Sequence, residues 1–274
     1  MQVRSYIPEE RRRRQKRRFY FVWTSALFIA YFLVLGWLWF LYRSPFFSVN
    51  HIVVNGNTSV SSDAVVSLVE STMMPPNHAL SMASIIGYKN MLIWPSSIPS
   101  RSLAWIPQLS SVSIGRDYFS HTITITVTER TPLAVWCYMP KESGDEQCFW
   151  FDGTGDKFER TYDTQGNVIT VVHDFSGKPT GVNQPILPEP FVANLISIIH
   201  VIKNSHVNVA TIALNDLSLE ELNVTTLNGP SLYFSLRFPA DNYLDVINQL
   251  MENQTMWHKI AYVDCRTENR VYYK

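Results

Sequence analysis

Asp152-Gly153-Thr154-Gly155 comes nearest to a catalytic signature in this sequence. Aspartyl-protease chemistry needs an aspartate directly before Thr-Gly, in two loops or a dimer. Here there is one loop, in the wrong order. Nucleotide-gripping hairpins also use Asp, Gly and Thr, but they need a second phosphate loop. A turn whose glycines take positive φ explains the four residues without any chemistry. Glycan hydrolysis would need a convergent pair of carboxylates. The candidates Asp145, Glu146, Asp152 and Asp156 cluster around turns rather than strand ends. The seven histidines are scattered, the nearest pair being His200 and His206, and no CxxC or HxxxH spacing occurs. No metal or cofactor is expected.

Two cysteines carry a more specific signal. Cys137 and Cys148 bracket the polar stretch "YMPKESGDEQ" between the apolar-aromatic runs "LAVW" and "FWF". This reads as a hairpin that could bring the sulfurs within bonding distance, and a bridge closing so short a loop stabilises by about 3 kcal/mol in the chain-entropy model. Two reduced, half-buried thiols are the other reading. Cys265 is left over and reads as a small apolar core residue.

Charge is distributed unevenly along the chain. Residues 1–18 carry eight Lys/Arg against Glu9 and Glu10, a balance of +6 that the remainder cancels with −6. Seven of those cations, Arg11, Arg12, Arg13, Arg14, Lys16, Arg17 and Arg18, abut Phe19–Leu41, 23 residues without a charge. As a helix this block spans about 34 Å, enough for a hydrocarbon core of about 30 Å. Trp23, Trp37, Trp39 and Tyr42 lie toward its ends, where amphipathic rings suit the interface. The basic run is then a topology signal that keeps the N-terminus cytoplasmic and sends residues 42–274 across. A nucleic-acid handle is disfavoured, because the folded part is acidic. A cleaved signal peptide would have a shorter apolar core and a small-residue cleavage site, which "YRSPFF" lacks.

After Pro45 the periodicities predict strand, helix, helix, strand, strand. "HIVVN" is extended, Ser61-Ser62-Asp63 begins a helix carrying Val65, Val66, Leu68 and Val69, and a short helix covers Ser100 to Ile106. "LSSVSIGRD" and "HTITITVTER" are strands, the second alternating Ile123, Ile125 and Val127 with threonines. From Pro132 strands dominate. Pro190 opens a helix with Phe191, Leu195, Ile198, Ile199 and Ile202 on one face. Asn228-Gly229 marks a hairpin, Asp241 a helix cap, and "KIAYVD" and "NRVYYK" the last strands.

This order resembles the bacterial cell-division family FtsQ, called DivIB in Gram-positive lineages. "FSVNHIVVNGNTSVSSDAV" is similar to the opening of that family's POTRA domain. Glu129-Arg130-x-Pro132-x-Ala134 is similar to its junction, "CFWFDGTGDKFE" to its strand and Asp-x-x-Gly turn, and "IAYVDCRTENRVYYK" to its closing strand pair. The resemblance runs from about residue 11 to 274, with residues 73–97 and 139–147 outside any quotable pattern. It implies an α+β chain: a cytoplasmic tail (1–18), one transmembrane helix (19–41), a POTRA-like βααββ domain (46–129) and a mainly antiparallel β domain with two helices (130–274). It implies no enzyme but a cell-membrane protein of the division septum. Its partners would be the single-span coiled-coil proteins FtsB (DivIC) and FtsL, and through them the septal synthase pair FtsW and FtsI.

The terminal strand is where such partners are expected. A strand at a sheet edge offers unpaired backbone groups to another chain. The residues concerned are Arg266, Asn269, Arg270, Val271, Tyr272, Tyr273 and Lys274. Tyr272 and Tyr273 closing the domain core is the other reading. A type II membrane enzyme acting on cell-wall or surface glycans is the alternative function. A POTRA-bearing transporter accessory would need further repeats or a β-barrel.

Overall fold

A computed structural model describes residues 9–73, 87, 89–140, 146–164, 169–177 and 179–274. Helix α1 (Glu9–Arg43) contains the apolar block. Its stretch Arg17–Arg43 is long and apolar enough to cross a membrane, and none of its apolar window is buried in the protein. Arg17 and Arg18 are exposed, whereas the side chains of Arg11, Arg12, Arg13, Arg14 and Lys16 lie outside the described part.

The chain forms two compact units. One takes residues up to Asn55 with Ser62–Ile98 and Ser113–Thr126, and the other takes Gly56–Ser61, Pro99–Val112 and Val127–Lys274. Two long strands, β2 (Leu109–Asp117) and β3 (Thr122–Glu129), each have residues in both units.

In the first unit β1 (His51–Asn55) pairs in parallel with β3, His51 facing Thr122 and Asn55 facing Thr126, and the sheet order is β1-β3-β2. The Ile-Thr alternation does what its period requires, since Ile123, Ile125 and Val127 are buried while the threonines face away. Helix α2 (Ser62–Met73) buries Val65, Leu68, Val69 and Met73 at helical spacing. Strand β1 is an edge strand, and Ile52 and Val53 are exposed among the described residues. The short helix is one turn, α3 (Ser100–Leu103).

The second unit holds a nine-stranded sheet in the order β12-β11-β10-β9-β8-β7-β4-β5-β6. The strands are β4 (Pro132–Tyr138), β5 (Gln147–Asp152), β6 (Lys157–Thr161), β7 (Val171–Asp174), β8 (Val209–Leu214), β9 (Glu221–Thr226), β10 (Ser231–Ser235), β11 (Tyr262–Thr267) and β12 (Arg270–Tyr273). The sheet is mixed and mainly antiparallel. Five junctions are antiparallel, while β4/β7, β7/β8 and β10/β11 are parallel. The reason is connection length. Parallel neighbours need a long crossover, and α4 (Glu189–Ser205) supplies it between β7 and β8. The pair α5 (Leu244–Glu252) and α6 (Gln254–Trp257) supplies it between β10 and β11.

Pro190 sits in the first turn of α4, and Leu195, Ile198, Ile199 and Ile202 are buried against the sheet beside Trp136, Phe149, Leu232 and Phe234. Each such residue contributes about 1.5–3 kcal/mol by leaving water. Asp241 does not cap a helix with its side chain. It lies in a 3-10 turn (Asp241–Tyr243), and its carboxylate accepts from Ser197 Oγ at 2.7 Å. Asn228-Gly229 joins β9 to β10 as expected, yet neither residue has positive φ. Glycine is required there because a Cβ would stand 2.1 Å from Trp257 Nε1.

Candidate partner-binding edge

Of the two outer strands, β6 is covered at its start: Lys157 N–H donates to Gln184 O at 3.2 Å and Asn183 N–H to Lys157 O at 2.7 Å. No such cover lies along β12 among the described residues. The β11–β12 hairpin turns at Asn269, whose φ is +58°. Asn242 Nδ2 holds the Asn269 side-chain oxygen at 3.3 Å, and Tyr243 Oη donates to Thr267 O at 3.0 Å.

The register decides which backbone groups are free. Lys274 and Tyr262 exchange both hydrogen bonds, at 3.3 and 3.4 Å. In an antiparallel ladder such exchanges recur every second residue, so Asp264 and Tyr272, which face each other, form the next exchanging pair. The N–H and C=O groups of Val271 and Tyr273 therefore point away from β11, toward the open side. Val271 packs its side chain on the core. Tyr272 and Tyr273 are each 51% exposed, so they do not close the core completely, and Arg270 and Lys274 are exposed.

Arg266 belongs to a different structure. Its guanidinium donates from Nε and Nη2 to the two oxygens of Asp264 (2.9 and 2.6 Å) and from Nη1 to Glu221 at 2.8 Å. It also lies 5.1 Å over the Tyr233 ring. Arg266 thus spans from β11 across β10 to β9 on the face away from the helices, next to the edge rather than on it. Hydrogen bonding to Asp264 and Glu221 raises the guanidinium pKa, and Arg266 holds the Asp264 carboxyl below the usual range against the opposing effect of burial. Asp264 and Arg266 stand two apart, as same-face residues of a strand must.

Cys137 and Cys148 face each other in the β4/β5 register and are joined as a disulfide, on the sheet face away from the helices with Val135 and Val171. Cys265 is buried and free.

The Asp152 loop is an ion-paired turn. Asp152 Oδ1 accepts from Thr154 N–H at 2.9 Å, Thr154 Oγ1 at 2.6 Å and Asp156 N–H at 3.2 Å. Arg130 Nη1 pairs with Asp152 and, at 3.3 Å, with Asp156. Burial would raise the Asp152 carboxyl, but the Thr154 and Arg130 contacts outweigh it and hold it low. Both aspartates thus share one cation. Only Gly155 has positive φ (+82°), not both glycines as the turn reading supposed. Asp145 lies outside the described residues, and Glu146 is exposed.

Two further residues carry structural roles that local pattern does not reveal. Glu129 takes the backbone N–H groups of Thr58, Ser59 and Val60 and the hydroxyls of Thr58 and Ser59, at 2.6–3.1 Å. Lys157 is fully buried on β6 and donates from Nζ to Tyr138 Oη at 2.7 Å and to both oxygens of Thr180. Burial pushes Lys157 down to about 8 against the pull of Asp174.

The chain matches no protein-family model, and no curated protein matches it significantly.

Proposed function

We propose that this chain is a non-catalytic, single-pass scaffold of the bacterial division machinery, of the FtsQ/DivIB kind. Its N-terminus is cytoplasmic and residues 42–274 are extracytoplasmic, at the division septum. Its first folded part serves as a POTRA-like docking module. Strand β12 receives FtsB/DivIC-like and FtsL-like single-span partners by strand addition, and these connect it to an FtsW/FtsI-type synthase.

One observation carries the reading: the β12 edge is uncovered among the described residues, and its register turns the backbone groups of Val271 and Tyr273 away from β11, beside the half-exposed rings of Tyr272 and Tyr273. Strand addition draws affinity from such groups and specificity from alternate side chains. The resemblance in the order of motifs supports it, and so does the apolar helix Arg17–Arg43. The glycan-enzyme alternative gains nothing from Asp152 and Asp156, which are both engaged by Arg130.

Proline tests the edge, because it removes the backbone donor. Val271→Pro and Tyr273→Pro in the full chain should each abolish co-purification of small coiled-coil membrane proteins, with circular dichroism unchanged. Arg270→Ala and Tyr272→Ala should weaken binding by about 1–2 kcal/mol each. Full binding by a folded chain lacking residues 270–274 would overturn the assignment.

A further inference from the structure

The turn between β2 and β3 carries aromatic rings where a solvent turn would carry small polar residues. Its sequence is Asp117-Tyr118-Phe119-Ser120-His121. Phe119 is 90% exposed. The turn is nevertheless well built: the Asp117 carboxylate accepts from the N–H groups of Phe119 (3.0 Å) and Ser120 (3.3 Å), which fixes the backbone beneath the exposed ring.

This turn adjoins the exit from the apolar helix. A 3-10 turn, Pro45–Phe47, begins two residues after Arg43, with Ser44 as its cap. The Phe46 ring stacks on Tyr118 (6.1 Å between centroids, 7° between planes), Phe47 meets Tyr118 edge-on at 5.9 Å, and Phe119 meets Phe46 edge-on at 6.2 Å. Backbone ties hold the same two segments: Asn50 N–H and His51 N–H both donate to His121 O, at 2.9 and 3.2 Å. Asn90, itself buried, donates from Nδ2 to Leu41 O at 3.0 Å, so the last turn of the helix is held by the same unit.

We propose that Phe119 and Tyr118, with Phe46, form a membrane-dipping tip whose ligand is the lipid surface of the extracytoplasmic leaflet. The proposal rests on reading Arg17–Arg43 as a membrane span. At about 1.5–2 Å per residue, Phe46 lies about 8–10 Å past Leu41. The headgroup layer beyond the hydrocarbon edge is about 5–8 Å deep, and the tilt usual for such helices brings the tip nearer. Aromatic rings with one apolar and one polar end are suited to this layer, and the tip continues the belt formed by Trp37, Trp39 and Tyr42. Exposed Arg43 supplies a cation beside the lipid phosphates. The one acid at the tip, Asp117, is occupied by the turn's own amides.

The test uses the full chain in phosphatidylcholine/phosphatidylglycerol nanodiscs. Cys137 and Cys148 are bonded and Cys265 is buried, so Phe119→Cys provides one reactive thiol for an environment-sensitive fluorophore. Phe32→Cys reports the span. Asn55→Cys, four residues and about 13 Å along β1 from the turn, reports the aqueous end of the unit. Bromine-labelled lipids should quench the fluorophore at 119 at least half as strongly as at 32, and at 55 not at all. Quenching at 32 with none at 119 overturns the tip while the span stands. No quenching at 32 sinks the span reading itself, and with it the tip. Shielding of 119 only after single-span partner proteins are added assigns the rings to a protein contact, and that too refutes the proposal.

Discussion

Replacing Glu129 by glutamine isolates what a single carboxylate does for the Thr58–Val60 turn. Glutamine keeps the shape but loses the charge and turns one acceptor oxygen into a donor. In the native chain one carboxylate oxygen collects the N–H groups of Thr58, Ser59 and Val60 at 2.7, 3.0 and 3.0 Å, and the other collects two hydroxyls. The hydroxyls can rotate to accept from the new amide, so the loss falls on the three N–H contacts. Hydrogen bonds to a charged group are about twice as strong as neutral ones, and a neutral bond contributes about 0.5–1.5 kcal/mol. Solvent screening at this half-exposed site reduces the sum to about 1–2 kcal/mol. Amide exchange of the peptide containing Thr58–Val60, followed by mass spectrometry, should accelerate about 5–30-fold in Glu129→Gln. The pH dependence gives a second arm. Burial would raise the Glu129 carboxyl, but these hydrogen bonds drive it well below its ordinary 4.5. Its contribution is therefore complete above pH 4.5 and is lost as the pH falls toward the depressed folded value. The Gln variant should lack that acid sensitivity. Equal protection in the two proteins, or equal acid sensitivity, would refute the reasoning.

Alkylation of the denatured, unreduced chain isolated from its own membrane should block one thiol, that of Cys265. Three reactive thiols would contradict the bonded pair, and Cys137→Ala with Cys148→Ala should cost about 3 kcal/mol of unfolding free energy. Lys157 gives an alkaline signature: with its folded value near 8 and its unfolded value at 10.5, the unfolded chain binds more protons between them. Stability therefore rises with pH across that window, by on the order of 3 kcal/mol relative to Lys157→Met. Denaturant midpoints of the two proteins that stay parallel from pH 7 to 10.5 would exclude this.

What the sequence made legible was local. The alternation in β3, the apolar face of α4, the β4/β5 hairpin with its facing cysteines and the β9/β10 hairpin all follow from spacings within one segment. Pairings between distant segments did not. That β7 lies between β4 and β8, or that β10 runs parallel to β11, depends on long connections, through β5 and β6 or through helices, whose path no local period records. Strand β6 went unread because its five residues follow a turn closely and Lys157 stands where a buried apolar residue would signal a strand. In the edge, Val271 to Lys274 were legible as an alternating run at the end of the chain. The Arg266 network had a same-face signal in Asp264-x-Arg266, whereas its third member, Glu221, lies 45 residues away. Glu129 and Arg130 are adjacent in sequence yet serve separate turns, a division of labour that only tertiary placement decides.

The hold of Asn90 on Leu41 has a mechanical consequence. The last carbonyls of a helix have no partner within it. Here Leu41 O is taken by a buried side chain from 49 residues further on, and Phe40 O by the N–H of Ser44 at 2.8 Å. A loose linker would act as a swivel and let the helix rotate without consequence. This joint is tied instead: Asn90 also bridges Ser48, just ahead of β1, so a twist at the helix end would be felt in β1. On the proposed reading of Arg17–Arg43 as a membrane span, the azimuth of the helix in the bilayer would then set the compass bearing of the first sheet.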